Sequence, residues 1–131
     1  MWEMDYDQAA AVWINKDKES VHMEKADLKT KIDDFIKAHN TCALATASGD
    51  FVRCTPIEYN YVDGSFYLFS EGGLKFKALK DNKHVAFAIY EPYGGFHELK
   101  SLQVMGTASM IEPFSDEYMN YHHRLHVGNG F

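Results

Sequence analysis

The first third of the chain places its apolar residues with helical spacing. Residues 5–18 predict a first helix, whose apolar positions are Ala9, Ala10, Val12 and Trp13. Residues 25–39 predict a second, one-sided amphipathic helix with i, i+4, i+7, i+8 spacing. Its apolar residues are Leu28, Ile32, Phe35 and Ile36. Asn40 is a suitable stop for this helix.

Beyond Asn40 the spacing changes to the alternation of β-strands. The segments TCALATAS and FVRCTPIEYNY, joined by Gly49-Asp50, predict a hairpin with a type II′ turn. Asp63-Gly64 predicts a second turn before the strand SFYLFS. A short helix LKFKALKD, the strands HVAFAIYE and SLQVMGTASMIE, and a C-terminal helix at 113–124 complete the expected order.

This order of elements favours a mainly β (α+β) fold. Two helices followed by short antiparallel strands with tight turns are typical of a barrel or a sandwich. The length of 131 residues suits a single domain. We expect a helical N-terminal segment at 1–40, a barrel at 41–112 and a C-terminal helix or tail at 113–131.

The register of the first hairpin follows from its turn. If Ser48 faces Phe51, the pairs behind it are Thr46–Arg53, Ala45–Cys54, Leu44–Thr55 and Cys42–Ile57. The two cysteines then leave opposite faces, so both are expected to be free thiols. Both faces carry apolar residues, which predicts burial on both sides. We expect one face to fill the barrel and the other to pack in a homodimer through residues 41–61 and 100–111.

Composition excludes several classes of function. The formal net charge is −6, and an acidic chain repels phosphate backbones, so no nucleic-acid binding is expected. No apolar run approaches the roughly 20 residues that cross a bilayer, so no membrane partner is expected either. The N-terminal MWEMDYDQ is acidic and unlike a signal peptide, and free cysteines suit a reducing compartment. We therefore expect a cytoplasmic protein.

Two basic residues stand out as candidates for anion binding. Lys75 opens a helix after a pair of glycines that ends at Gly73, and helix starts attract phosphate through their free N–H groups. The alternative is a solvated lysine beside an ordinary glycine loop. Arg53 lies in the middle of a strand and needs a partner, either a bound phosphate or a surface carboxylate. Neither residue is assigned to the core.

Other polar residues carry weaker signals. Gln103 lies on the opposite face of its strand from Leu102 and Val104. There its side chain meets either solvent or the donor and acceptor edge of a ring such as a flavin. His122 and His126 have the i, i+4 spacing of a metal or haem site but lack a third ligand, so no metal site is predicted. Cys54 has no evident base for nucleophilic catalysis. The side chains of Tyr59, Tyr61 and His97 could lie beside a bound ring, but each is interpreted as structural.

Taken together, residues 30–112 resemble the FMN-binding split β-barrel of the pyridoxamine 5′-phosphate oxidase superfamily. The segments that carry the resemblance are CALATASGDFVRCTPIEY, YVDGSFYLFS, GGLKFKALKDNKHVAF and LQVMGTASMIE. It implies a homodimer with FMN at the interface and a small-molecule substrate that the sequence does not name. The alternative within the same fold is a non-catalytic dimer that binds a flavin, a deazaflavin or haem.

The resemblance also assigns roles to residues. Arg53 and Lys75 would hold the FMN phosphate, with Phe69 and Ser70 contributing at the strand end and Gln103 meeting the ring. Backbone N–H groups near Gly73 would assist, although the family often has a serine there. No catalytic acid or base is assigned.

The C-terminal part departs from the family. It is expected to lack both the last barrel strand of many relatives and the substrate-binding Arg/His segment. Vitamin B6 oxidase activity is therefore not expected.

Overall fold

The structure, a computed structural model, describes residues 3–20, 23–69, 73–96, 99–111 and 125–127, the first two residues of the last range by their backbone alone. It divides into two compact units, Met1–Lys31 and Ile32–Phe131. The first unit contains α1 (Tyr6–Glu19), and Asp5 caps the N-terminus of this helix. The Asp5 side chain accepts a hydrogen bond of 2.9 Å from the backbone N–H of Gln8. No residue of α1 is buried.

The second unit is a β-barrel. The helix α2 (Lys25–Lys37) starts in the first unit and ends in the second. The strands are β1 (Thr41–Ser48), β2 (Phe51–Val62), β3 (Ser65–Leu68), β4 (His84–Tyr90), β5 (Ser101–Met110) and β6 (Leu125–Val127), with α3 (Lys75–Leu79) between β3 and β4. Their order around the closed barrel is β1-β2-β3-β6-β5-β4, and every neighbouring pair is antiparallel. The expected split-barrel α+β fold is confirmed.

The predicted hairpin register is confirmed pair by pair. Ser48 lies opposite Phe51, Thr46 opposite Arg53 and Ala45 opposite Cys54. Gly49 has a φ of +57°. Among the described residues other than glycine, only Asp63 has a positive φ. A positive φ at the first central residue alone is the signature of a type II′ turn, which sets this register.

The expected absence of a last strand is wrong. The three residues of β6 pair with β3 and β5 and close the barrel. They lie in a polar, histidine-rich segment and are too few to show the alternation over four or more residues that reveals a strand. Residue 126 is therefore in a strand, and the helical spacing that paired it with His122 does not apply. The helix expected at 113–124 and His122 itself lie outside the described residues.

The barrel interior is filled by aromatic and branched side chains. Phe66, at 0% exposure, is central. Its ring centroid lies 4.6 Å from that of Phe87 and 4.8 Å from that of Tyr61. The Tyr59 hydroxyl donates to the backbone oxygen of Ile36 at 2.6 Å, which ties the end of α2 to the barrel. The core is thus complete within the second unit.

Candidate functional site

The helix α3 lies at the end of the barrel where the first hairpin turns. It packs against β1 and β2. The exposed Lys77 reaches the hairpin tip, with its Nζ 4.7 Å from the centroid of the Phe51 ring. This contact places Lys77 of α3 beside the strand segment that carries Arg53.

Lys75 is buried, contrary to the expectation that it lies outside the core. It is 7% exposed, and this burial lowers the pKa of its ammonium group. Its Nζ lies 3.5 Å from the position of a Cβ built on Gly73, whose φ is +108°. Glycine adopts that φ without strain. A side chain at position 73 would therefore be strained and would stand beside the ammonium group.

Arg53 is exposed, as expected of a residue outside the core. It shares its face of β2 with the buried Ile57, but β2 pairs with β3 only from Tyr59 onward. The segment around Arg53 therefore pairs with β1 alone, and the Arg53 side chain is exposed to solvent there. This position suits an arginine that binds an anion at the rim.

Thr46 is a polar residue that the sequence reasoning did not select. It lies directly opposite Arg53 and is 2% exposed. No hydrogen-bond partner for its Oγ1 is found in the described part of the chain. The predicted register had placed Thr46 on the same face of the hairpin as Leu44 and Ser48, without indicating that this face is the inner one. That signal did not reveal that its hydroxyl would be left without a partner.

Gln103 is exposed on the outside of the barrel, as predicted, because it pairs with Ala88 and alternates with the buried Val104. Arg53 belongs to the other, core-facing side of the sheet. A single chain therefore presents Arg53 and Gln103 on opposite faces. The strands that carry them, β2 and β5, are separated by β1 and β4.

The outer face contains a groove of about 470 Å³. Its floor is formed by small residues of β1 and β4, including Ala45 and Ala86. Its sides are Val52 and Met105, which are 67% and 75% exposed. His84 stands at one end, opposite Thr107. The groove is thus apolar along its length and polar at one end.

Of the remaining candidate site residues, the structure describes some and leaves others outside its described ranges. Phe69, 44% exposed, follows β3 directly, while Ser70 and His97 lie outside the described residues. Tyr59 and Tyr61 donate their hydroxyls to α2, to the Ile36 oxygen and to Asp33 Oδ1 at 2.7 Å, in agreement with their structural interpretation.

Among the described residues, no cluster of three or more His, Cys, Asp or Glu side chains could hold a metal ion. The helices of the same residues include none with the length and hydropathy of a membrane span.

Comparisons with known proteins agree with this architecture. A family model described as pyridoxamine 5′-phosphate oxidase matches residues 28–127. A search of curated proteins gives no match.

Three of the solved structures with a similar fold each have a TM-score of 0.61. An FAD-binding protein from Mesorhizobium loti is 22% identical and covers 70% of this chain and 67% of its own. The haem storage protein HutZ from Vibrio cholerae is 19% identical over 72% and 70%. An FAD-binding protein from Mycobacterium smegmatis is 18% identical over 78% and 88%. At these identities the likeness shows the fold alone.

Proposed function

The chain belongs to the pyridoxamine 5′-phosphate oxidase family, and we propose that it is a homodimeric FMN-binding protein that acts as an FMN-dependent oxidoreductase. The observation that carries the proposal is Lys75, a buried cation at the barrel end where Arg53 emerges. An ammonium group at this position can add its charge to an anionic ligand that the arginine binds. In a chain with a net charge of −6, basic residues gathered at one end favour an anionic ligand there.

The phosphate of FMN fits these two residues. Arg53 offers a planar fork that binds phosphate through two parallel hydrogen bonds, and Lys75 adds a point charge. Gly73 lets the backbone approach the anion closely, because it has no side chain to intervene. Phe69, which follows β3 directly, and Ser70, which lies outside the described residues, complete the proposed contacts. The residues present therefore fit the cofactor's charged end.

Contacts to the ring are proposed to come from a second subunit. Because Gln103 and Arg53 leave opposite faces of the sheet, one chain is poorly placed to use both on a single cofactor. A dimer that packs through the outer face brings Gln103 of the partner subunit to the interface. Its amide group donates and accepts hydrogen bonds, which matches the polar edge of a flavin.

Bound FMN supplies hydride or electron transfer. The residues of this chain anchor its phosphate, orient its ring and, through the proposed interface, exclude water from it. No side chain is assigned here as a catalytic acid or base.

Replacement of Arg53 by Ala or of Lys75 by Met tests the phosphate site. Each removes a charge-assisted hydrogen bond of about 1.5–3 kcal/mol, so FMN affinity should fall roughly tenfold to a hundredfold. Methionine preserves the buried aliphatic stem of Lys75. Flavin fluorescence titration measures the affinity, and Lys80→Ala, which removes an exposed lysine beside the same helix, is the matched control.

Riboflavin is the second control, because it lacks the phosphate. Its affinity should not change in either variant. If the native protein binds FMN no better than riboflavin, the proposed site is wrong. If the variants bind FMN normally, the phosphate lies elsewhere.

The alternative function is a non-catalytic dimer that binds haem or a deazaflavin. The fold shared with a haem storage protein favours haem, and the described groove offers one imidazole, that of His84. The visible spectrum of the purified protein separates these cases. The Soret band of haem differs from the visible bands of a flavin in wavelength and is much more intense. Mass spectrometry of the extracted small molecule identifies a deazaflavin.

A further inference from the structure

The hydroxyl of Thr46 is a buried polar group whose presence packing does not explain. The side chain is 2% exposed, and its Oγ1 has no hydrogen-bond partner among the described residues. A buried hydroxyl without a partner destabilises a protein, and a valine would fill the same space without that cost. Such a group in a folded chain calls for a functional reason.

The position of Thr46 supplies one. It lies opposite Arg53 on the same side of the sheet, and directly opposed side chains are close neighbours, with Cβ atoms roughly 4.5–5.5 Å apart. The helix that carries Lys75 packs against the strand of Thr46. Thr46 and Lys75 are also the two buried polar or charged side chains found within the described ranges.

Gly73 makes a hydroxyl from another element useful. At a φ of +108° it has no side chain to offer the anion. A threonine hydroxyl both donates and accepts, so it can donate to an anion oxygen while accepting from the guanidinium of Arg53.

We propose that Thr46 is a third ligand of the phosphate that Arg53 and Lys75 bind. This inference rests on the proposed function, because it takes the same cofactor group as its ligand. The hydroxyl donates to a phosphate oxygen, and the strand fixes its position. Thr46 thus supplies from β1 the hydroxyl that position 73 lacks.

The burial of the hydroxyl has a consequence for binding. Its surface is covered, so the anion reaches it only when the covering segment shifts. The element packed against β1 at this end is α3, a helix of five residues, and so short a helix depends on its packing rather than on its own hydrogen bonds. Phosphate binding is therefore accompanied by a small displacement of α3.

The test compares Thr46→Val and Thr46→Ser. Valine keeps the branched shape and removes the hydroxyl, whereas serine keeps the hydroxyl and removes a methyl group. Fluorescence titration should show FMN affinity reduced about tenfold or more in Thr46→Val and near the native value in Thr46→Ser. Riboflavin affinity should be the same in all three proteins, and the ³¹P resonance of bound FMN should shift only in the valine variant.

Melting of the flavin-free proteins gives an independent readout. Thr46→Val should melt at the native temperature or above it, because it removes an unsatisfied group. A lower melting temperature with unchanged FMN affinity would mean that the hydroxyl has a structural partner, and would overturn the inference. Equal loss of FMN affinity in both variants would assign the effect to packing and would also overturn it.

Failure of this inference is distinct from failure of the proposed function. If Arg53→Ala and Lys75→Met weaken FMN binding while Thr46→Val does not, only the role of Thr46 is wrong. If the native protein does not prefer FMN to riboflavin, the phosphate site itself is wrong and the role of Thr46 falls with it.

Discussion

The two faces of β1 differ in what covers them. On the inner face, Cys42 and Leu44 are 3% and 0% exposed and lie within the barrel core. On the outer face, Ala43, Ala45 and Ala47 are half-buried. The inner face is buried by residues of the same chain, whereas the apolar residues of the outer face remain partly exposed to solvent.

This difference separates the residues that hold the fold from those available for assembly. The outer face continues across β4 and β5, where alanines give way to the exposed Met105. Contiguous apolar surface of this kind is typical of interaction sites. Changes on the inner face should therefore act on folding, and changes on the outer face should act on the proposed dimer.

The largest expected effect is on the inner face. Replacement of Leu44 by Ala leaves a cavity in the barrel, and should lower the free energy of unfolding by about 2–5 kcal/mol. Val52→Ala, on the exposed outer face, is the matched control and should change it by less than about 0.5 kcal/mol. Denaturant unfolding at one fixed protein concentration measures both. Equal losses would contradict the distinction between the faces.

A charge on the outer face should act on assembly instead. Light scattering of the native protein at micromolar concentration should give about twice the chain mass of 15.0 kDa. Val52→Arg places an unpaired charge in the proposed interface, which is strongly unfavourable, so the mass should fall to that of one chain. Far-ultraviolet circular dichroism should stay unchanged. A native protein that is monomeric would remove both the interface and the proposed role of Gln103.

The contrast between the two faces of the hairpin was predictable from sequence. Alternation over two strands and a two-residue turn at Gly49 leave one register, and a shift by a single residue would turn every apolar side chain to the other face. The pairing of Thr46 with Arg53 and the separation of the cysteines followed from this register.

The details of the site depended on distant contacts. Five residues of α3 are too few to reveal which side of the helix faces the barrel, so the burial of Lys75 was missed. The absence of a partner for the Thr46 hydroxyl is a property of everything packed around it, which no local pattern reports. In β6, three paired residues left no periodicity to detect.

A smaller effect on the inner face should appear at high pH. Burial raises the pKa of the Cys42 thiol and of the Tyr59 hydroxyl to about 12, from ordinary values of 9.0 and 10.0. Burial, with the hydrogen bond to Asp33, does the same for Tyr61. The folded chain keeps these protons when the unfolded chain has lost them. Stability should therefore fall from about pH 9 to pH 12.

Lys75 acts in the opposite direction over part of this range. Burial lowers the pKa of its ammonium group, so as the pH rises Lys75 loses its proton in the folded chain before it does so in the unfolded chain. This difference raises stability with pH. Because Cys42, Tyr59 and Tyr61 outnumber the single lysine, the net effect of rising pH should be a loss of stability. Tyr61→Phe should reduce the alkaline slope in denaturant unfolding, at a cost of about 0.5–1.5 kcal/mol at neutral pH for the lost hydrogen bond. An unchanged slope would contradict the assignment.

The smallest expected effect on stability comes with a comparison of the reactivity of the two cysteine thiols. Both cysteines are free, Cys42 buried and Cys54 exposed on the outer face. Because the thiolate is the reactive form and burial raises the pKa of Cys42, a thiol reagent at pH 8 should label Cys54 first and Cys42 only after unfolding. If the dimer packs through the outer face, labelling of Cys54 should slow as protein concentration rises, and Val52→Arg should restore the fast rate. Cys54→Ser, with a stability change within about 0.5 kcal/mol, should abolish the fast phase. Equal labelling of both thiols in the native chain would contradict the separation of the faces.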